Sequence, residues 1–77
     1  MKIDQAQLNQ FAVCLDNQGY EASLEVGKIY RVINDEEAKR SGFIRIIDES
    51  GEEYAFSSSR FHPIEVPQPV EKVLLNQ

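Results

Sequence analysis

Five short apolar segments, separated by connections of unequal length, constrain the fold of this 77-residue chain more than any other feature. The segments are rich in β-branched and aromatic residues, as half-buried strands are. Their connections run in the order long, medium, tight and single-turn. Short strands at this spacing are typical of a small barrel or sandwich, in which a curled sheet covers its own edges. We predict strands at 11–15, 28–33, 43–48, 54–56 and 61–66.

Helical signals lie at both ends of the chain. At the N-terminus, Asp4 can cap a helix, and Ile3 and Leu8 occupy the two positions of a hydrophobic staple. At the C-terminus, apolar residues recur at helical spacing on one face, and we expect a short helix that covers one open end of the domain; the alternative is an interaction tail. The predicted organisation is a helical segment at 1–10, a five-stranded barrel at 11–66 and a tail at 67–77. The apolar positions of the tail are Val70, Val73 and Leu74.

The connections carry further local signals. Asn34 can cap a single helical turn at 34–40, with Glu37 three positions later. Gly51 suits the positive-φ position of a tight hairpin turn. Pro63 cannot donate a backbone hydrogen bond, so its strand is expected at an edge of the sheet. In the long loop, Leu24 and Val26 are expected to hold the chain on the core.

Alternation along the third predicted strand separates two faces. Ile44 and Ile46 share one face, which is all aliphatic and is therefore the expected core face. Phe43 and Arg45 then point outward. Cys14 lies in the apolar run FAVCL and is expected to be a small buried core residue.

The sequence offers no constellation for catalysis or metal binding. A structural zinc site needs several Cys or His ligands, and the chain has one cysteine and one histidine. His62 follows the serines at 57–59, but neighbouring strand residues point to opposite faces, so adjacency gives no catalytic geometry. The acidic residues at 48–53 are expected to form a solvated turn. We therefore expect no enzyme activity, no cofactor and no bound metal.

Charge and hydropathy restrict the partners. The formal net charge is −5, which disfavours phosphate-backbone binding, although Lys28, Arg31, Arg45 and Arg60 could form a local basic patch. No apolar run approaches the length of a membrane helix, and the N-terminus lacks the apolar region of a signal peptide. A cytoplasmic location is expected, and a single cysteine agrees with a reducing compartment.

The order of connections resembles that of the Src-homology-3 (SH3) barrel, and the segment GEEYAFSSSRF at 51–61 resembles the passage from its last hairpin to its last strand. The resemblance implies an SH3-like barrel of five strands with a 3₁₀ turn before the last strand. Peptide-binding members stack proline-rich ligands on a Trp and neighbouring aromatic residues. This chain has no Trp, so recognition of such ligands is not expected.

Two parts of the sequence resemble a group of small bacterial and phage proteins. They are the segment CLDNQGYEASLEVGKIYRV at 14–32 and, after it, Gly51, Glu52, Tyr54 and the run Ser59-Arg60-Phe61. These proteins have no assigned activity. The resemblance therefore implies a fold and a bacterial or phage origin, and it implies no function.

The expected function is that of a non-catalytic protein-interaction or accessory module; the alternative is a nucleic-acid-associated small barrel. If the barrel forms, the aromatic and arginine side chains suited to binding hot spots could meet at one groove. In the competing interpretation, Tyr20 packs over the barrel end and Arg60 pairs with Glu21 or Glu52. The partner is an unidentified protein, and the chain is a monomer or a weak homodimer through its C-terminal helix or its Pro63 strand. The candidate binding residues are Tyr20, Phe43, Arg45 and Arg60.

Overall fold

The computed structural model describes residues 10–48 and 50–76. The helical segment predicted at 1–10 lies outside the described residues, apart from Gln10, which begins the first strand. In the part of the chain that the structure describes, no helix is long and apolar enough to cross a membrane.

Over the described residues, the fold is mainly β, with five antiparallel strands in one sheet and two short helices. Each predicted strand is present, and its ends lie within two residues of the predicted ones. Alternating β-branched and aromatic residues therefore placed the sheet correctly along the chain. The strands are β1 (Gln10–Cys14), β2 (Ile29–Ile33), β3 (Phe43–Ile47), β4 (Glu53–Ser57) and β5 (Phe61–Ile64).

The strand order is β4-β3-β2-β1-β5, so β4 and β5 are the two edges of the sheet. This confirms the edge position that Pro63 predicted for β5. A single 3₁₀ turn (Ser58–Arg60) joins the two edge strands. No ladder of backbone pairs links β4 to β5 among the described residues, so the sheet is not closed by hydrogen bonds.

The two helices lie outside the ladder of strands. Helix α1 (Glu36–Arg40) begins at the predicted turn, but its N-cap is Asp35 and not Asn34. Helix α2 (Gln68–Leu75) lies against β2. Of the three apolar positions predicted to share its packing face, Val70 and Val73 are exposed and Leu74 is half-buried.

The core lies on the inner face of the sheet. Ile46 is fully buried there and Ile44 packs against the cluster, while Phe43 and Arg45 lie on the outer face, as the alternation predicted. Cys14 is buried, as expected. The residues of this inner core are Ala12, Cys14, Leu24, Tyr30, Val32, Ile46, Phe56 and Phe61.

Leu24 holds the long loop between β1 and β2 on the core. Leu24 is 1% exposed, and its carbonyl accepts a hydrogen bond from the Asn17 side chain at 3.0 Å. The expectation for Val26 is wrong, because this side chain is 54% exposed. Val26 lies in a turn that the Lys28 amide closes onto the Glu25 carbonyl at 3.2 Å, and residues at the tip of such a turn face solvent.

Candidate functional site

The backbone of the long loop fixes the position of Tyr20. The Tyr20 amide donates to the Asn17 carbonyl at 2.8 Å, and the Tyr20 carbonyl accepts from the amides of Ser23 and Leu24 at 2.9 and 2.8 Å. Because Leu24 is buried in the core, these bonds tie Tyr20 to a rigid point of the fold. Tyr20 is therefore a loop residue with a defined orientation.

The ring of Tyr20 contacts one residue of the core and one of the 3₁₀ turn. It meets Phe56 edge to face, with ring centroids 5.0 Å apart and an interplanar angle of 85°. The guanidinium of Arg60 lies 4.8 Å from the centroid of the Tyr20 ring, within the range of a cation–π contact. Tyr20 is nevertheless 45% exposed, so part of its ring still faces solvent.

Arg60 also reaches across to the start of the long loop. Its Nη1 donates to the Asp16 carbonyl at 3.2 Å and lies 3.6 Å from the Asp16 carboxylate. The expected pairing of Arg60 with Glu21 or Glu52 is therefore wrong. The carboxylate of Glu21 instead accepts from the Gly19 amide, and Glu52 accepts from a tyrosine hydroxyl.

Tyr54, on β4, extends this aromatic surface and was not among the predicted site residues. Its ring centroid lies 6.4 Å from that of Phe56, and the side chain is 49% exposed. Its hydroxyl donates to Glu52 at 2.9 Å, and this bond raises the pKa of Tyr54. The signal that could have found it is the period of two, which puts Tyr54 and Phe56 on one face of β4. We name the surface formed by Tyr20, Tyr54, Phe56 and Arg60 the aromatic patch.

The other two candidate binding residues lie elsewhere. Phe43 and Arg45 project from the outer face of the sheet, whereas Phe56 of the aromatic patch lies on the inner face. Arg45 Nε lies 3.5 Å from Asp35, and Arg45 Nη1 lies 3.8 Å from Glu53. The four candidates therefore do not share one groove. The structure brings Tyr20 and Arg60 together and separates them from Phe43 and Arg45.

Phe43 and Arg45 line a groove of about 690 Å³. Its lining is mostly apolar and includes Phe11, Ile33 and Ile64. We name it the outer groove. Gln10 also lines it, so the groove abuts the point at which the described part of the chain begins. The aromatic patch lies outside this cavity.

The acidic hairpin between β3 and β4 is organised by its own hydrogen bonds. The buried carboxylate of Asp48 accepts from the Ser50 amide at 2.9 Å, the Ser50 hydroxyl at 2.6 Å and the Glu52 amide at 3.3 Å. Burial by itself raises the pKa of Asp48, but these hydrogen bonds outweigh it and lower the pKa below its ordinary value. Over residues 10–48 and 50–76, no cluster of three or more His, Cys, Asp or Glu residues could hold a metal ion.

Cys14 and His62 do not form a nucleophile and base. They lie on neighbouring strands, but Cys14 pairs with Phe61 on the inner face and His62 pairs with Val13 on the outer face. Burial raises the pKa of the Cys14 thiol, which opposes formation of the reactive thiolate. Of the serines that precede His62, Ser58 donates its hydroxyl to the Gly42 carbonyl at 3.0 Å.

No protein-family model, curated protein or solved structure matches the chain. The function is therefore inferred from the aromatic patch and from the charges around it.

Proposed function

We propose that the chain is a non-catalytic protein-interaction or accessory module that binds a protein partner through the aromatic patch. The observation that carries this proposal is a pair of half-exposed tyrosine rings, Tyr20 and Tyr54, whose centroids lie 5.0 and 6.4 Å from that of the buried Phe56. Tyrosine and arginine are enriched among the residues that dominate binding energy at protein interfaces. A bacterial cytoplasm is the proposed setting, and the single buried cysteine agrees with a reducing compartment.

The rigidity of the aromatic patch supports binding. Phe56 is a core residue, and Arg60 lies in the 3₁₀ turn next to a buried strand residue. Arg60 is held between the Tyr20 ring and Asp16. Side chains that are already ordered lose little conformational entropy when a partner binds, so more of the contact energy appears as affinity.

We propose further that the fold is an SH3-like barrel whose last side is closed by side chains. The ring centroids of Phe56 on β4 and Phe61 on β5 lie 6.0 Å apart, although the two strands share no ladder. The strand order and the single 3₁₀ turn before β5 also fit this fold. The chain has no Trp, so proline-rich peptides are not the proposed ligand.

Single-stranded nucleic acid is the alternative ligand, because exposed tyrosine rings can stack on bases. The charges oppose it. Arg60 and Arg45, two of the four cations that could form a basic patch, already contact carboxylates, and the formal net charge is −5. We expect no mobility shift of labelled single-stranded RNA or DNA at low salt. A shift that weakens as salt rises would favour this alternative over a protein partner.

The separation of the four candidate residues provides a matched test. The tagged chain is used to capture proteins from a bacterial lysate, and captured proteins are quantified by mass spectrometry against two double variants. Tyr20→Ala with Arg60→Ala removes two of the four side chains of the aromatic patch. Phe43→Ala with Arg45→Ala removes an aromatic side chain of the same fractional exposure, 45%, and a more exposed arginine from the outer face.

We expect a defined partner to be lost with the first double variant and kept with the second. Thermal unfolding of both variants must show that they remain folded at the capture temperature. Loss of the partner with the second double variant alone would contradict the proposal and place binding at the outer groove. Equal retention with both variants would contradict a role for either surface.

A further inference from the structure

The outer edge of β4 carries backbone groups that make no hydrogen bond to any other described residue. The Asp48 amide donates to the Glu52 carbonyl at 2.9 Å, and the Ser58 amide donates to the Gly42 carbonyl at 3.0 Å. Because bonded pairs alternate along an antiparallel ladder, the even-numbered residues of β4 point their backbone groups at β3. The N–H and C=O groups of Glu53 and Ala55 and the N–H of Ser57 therefore point away from the sheet.

Nothing in the described chain covers this edge. Among residues 10–48 and 50–76, no backbone or side-chain group hydrogen-bonds to those outward groups, and Glu53, Ala55 and Ser57 are exposed. Natural proteins protect such edges with Pro, Lys, a bulge or a covering loop, because an exposed row of donors and acceptors pairs readily with another strand. The sequence of β4, EYAFS, contains neither Pro nor Lys.

The opposite edge of the sheet is protected. On β5, the Leu15 amide bonds to the Arg60 carbonyl, so the outward residues of the strand are Phe61 and Pro63. The Phe61 amide is already bonded to the Ser58 carbonyl, and Pro63 has no N–H. The β5 edge therefore offers no outward donor, and the dimer predicted through the Pro63 strand lacks a hydrogen-bonding basis.

We propose that β4 pairs with β4 of a second copy of this chain, antiparallel across a two-fold axis at Ala55. In this register each Ala55 amide donates to the Ala55 carbonyl of the other copy. Each Ser57 amide donates to the Glu53 carbonyl of the other copy. The pairing gives a partner to the outward amides of Ala55 and Ser57 in both copies. It also joins the two sheets into one continuous sheet.

Charge and shape select this register. It places Glu53 opposite Ser57 of the second copy, whereas a shift that paired Glu53 with Glu53 would place like charges face to face. On the inner face it brings the half-exposed Tyr54 opposite Phe56 of the second copy, which is an aromatic cross-strand pair. The inference does not depend on the proposed function, because the outward backbone groups of β4 carry it. Tyr54 and Phe56 of the aromatic patch serve only to choose the register.

We expect a weak dimer whose dissociation constant depends on the salt concentration. About four backbone hydrogen bonds and two symmetry-related aromatic contacts correspond to a dissociation constant on the order of 100 μM to 1 mM. Each copy carries a formal net charge of −5, so the two copies repel each other at long range. Salt screens that repulsion, and we expect the dissociation constant to fall several-fold between about 0.01 and 0.3 M salt.

The test is sedimentation equilibrium of the full chain from about 10 μM to 1 mM. This concentration range covers the dissociation constants expected for a small interface. The expected result is a rise from the monomer mass toward twice that mass. A sample that mixes labelled and unlabelled copies then reports intermolecular NMR contacts. The contact expected for the proposed register joins the Tyr54 Hα to the Phe56 Hα of the other copy.

The matched variants are Ala55→Pro and Ala55→Val. Proline removes the central amide donor, and we expect the dimer to be lost up to the highest concentration. Valine keeps the donor and favours strand structure, and we expect the dimer to persist. The intermolecular contacts are measured on the natural chain, so the test does not depend on whether Ala55→Pro folds.

Each of the following results either overturns or supports the inference. A chain that stays monomeric at the highest concentration at both salt levels overturns the inference. A dimer whose intermolecular contacts arise from Val70 and Val73 of α2, or from β5, also overturns it. A dimer that shows the Tyr54 to Phe56 contact, strengthens with salt and is lost with Ala55→Pro supports it.

Discussion

Asp35 and Arg45 join helix α1 to strand β3 through one carboxylate. Asp35 Oδ1 accepts the Ala38 amide at 3.0 Å as the N-cap of α1, while Oδ2 lies 3.5 Å from Arg45 Nε. The helix has five residues and buries none of them. A helix this short is not stable alone in water, so its persistence depends on the cap and on this link to the sheet.

Two substitutions at Asp35 separate the cap from the ion pair. Asp35→Ala removes both and is expected to lower the free energy of unfolding by about 1–2 kcal/mol. Asp35→Asn keeps a good capping side chain and removes the charge, so we expect a loss of at most about 1 kcal/mol, as for partly exposed pairs. Urea unfolding followed by circular dichroism measures both. An Asn variant as unstable as the Ala variant would show that the charge, and not the cap, is what matters.

The stack of Arg60 on Tyr20 predicts a measurable coupling. A double-mutant cycle of Tyr20→Leu and Arg60→Met removes the ring and the charge while keeping apolar volume. We expect a coupling free energy of about 0.5–1 kcal/mol for a partly exposed cation–π contact. Arg60→Lys is expected to recover only part of it, because an ammonium does not stack as a planar guanidinium does. A coupling indistinguishable from zero would mean that the two side chains are neighbours without stabilising each other.

The strands and their faces could be predicted because they depend on local alternation. Phe43 and Arg45 were expected outside, and Ile44 and Ile46 inside, and the structure confirms this. The cap of α1 could not be chosen from sequence, because Asn34 and Asp35 are both good capping residues. Arg45, ten residues later, contacts Asp35, and that contact exists only after β3 has folded.

The candidate site was predictable only in part. Tyr20 and Arg60 lie 40 positions apart in sequence, and the resemblance to a known loop order suggested that they could meet. Tyr54 was missed because alternation gives its face of the strand but not its exposure. Its exposure follows from its place on β4, which is an edge strand with no neighbour on its outer side.

Asp48 makes part of the stability depend on pH. Its hydrogen bonds hold its pKa in the folded chain below the ordinary value, despite the opposing effect of burial. The ionised form is therefore favoured by folding. This contribution is complete above the unfolded pKa of about 3.9 and is lost as the pH falls through the lower folded pKa. Comparing the unfolding free energies of the natural chain and Asp48→Asn between pH 7 and pH 2 measures it.

At neutral pH, Asp48→Asn is expected to cost about 1–3 kcal/mol, because Asp48 Oδ2 is buried without a hydrogen-bond partner and an amide there is an unsatisfied donor. The difference between the two proteins should shrink as the pH falls below about 4. Glu53→Gln, on the same hairpin but exposed, is the control and should change stability little. A difference that stays constant down to pH 2 would contradict the pKa argument.

Cys14 reports the opening of the core. The side chain is 1% exposed and burial raises the pKa of its thiol, so an alkylating reagent can reach a thiolate only when the chain opens. For a stability of about 4 kcal/mol, modification in buffer should be about 10³-fold slower than in denaturant. Stopped-flow or mass-spectrometric alkylation rates measure the ratio. Destabilising Asp35→Ala should accelerate the reaction about tenfold for each ~1.4 kcal/mol of unfolding free energy that is lost, whereas equal rates in the natural chain and the variant would indicate a local opening confined to β1.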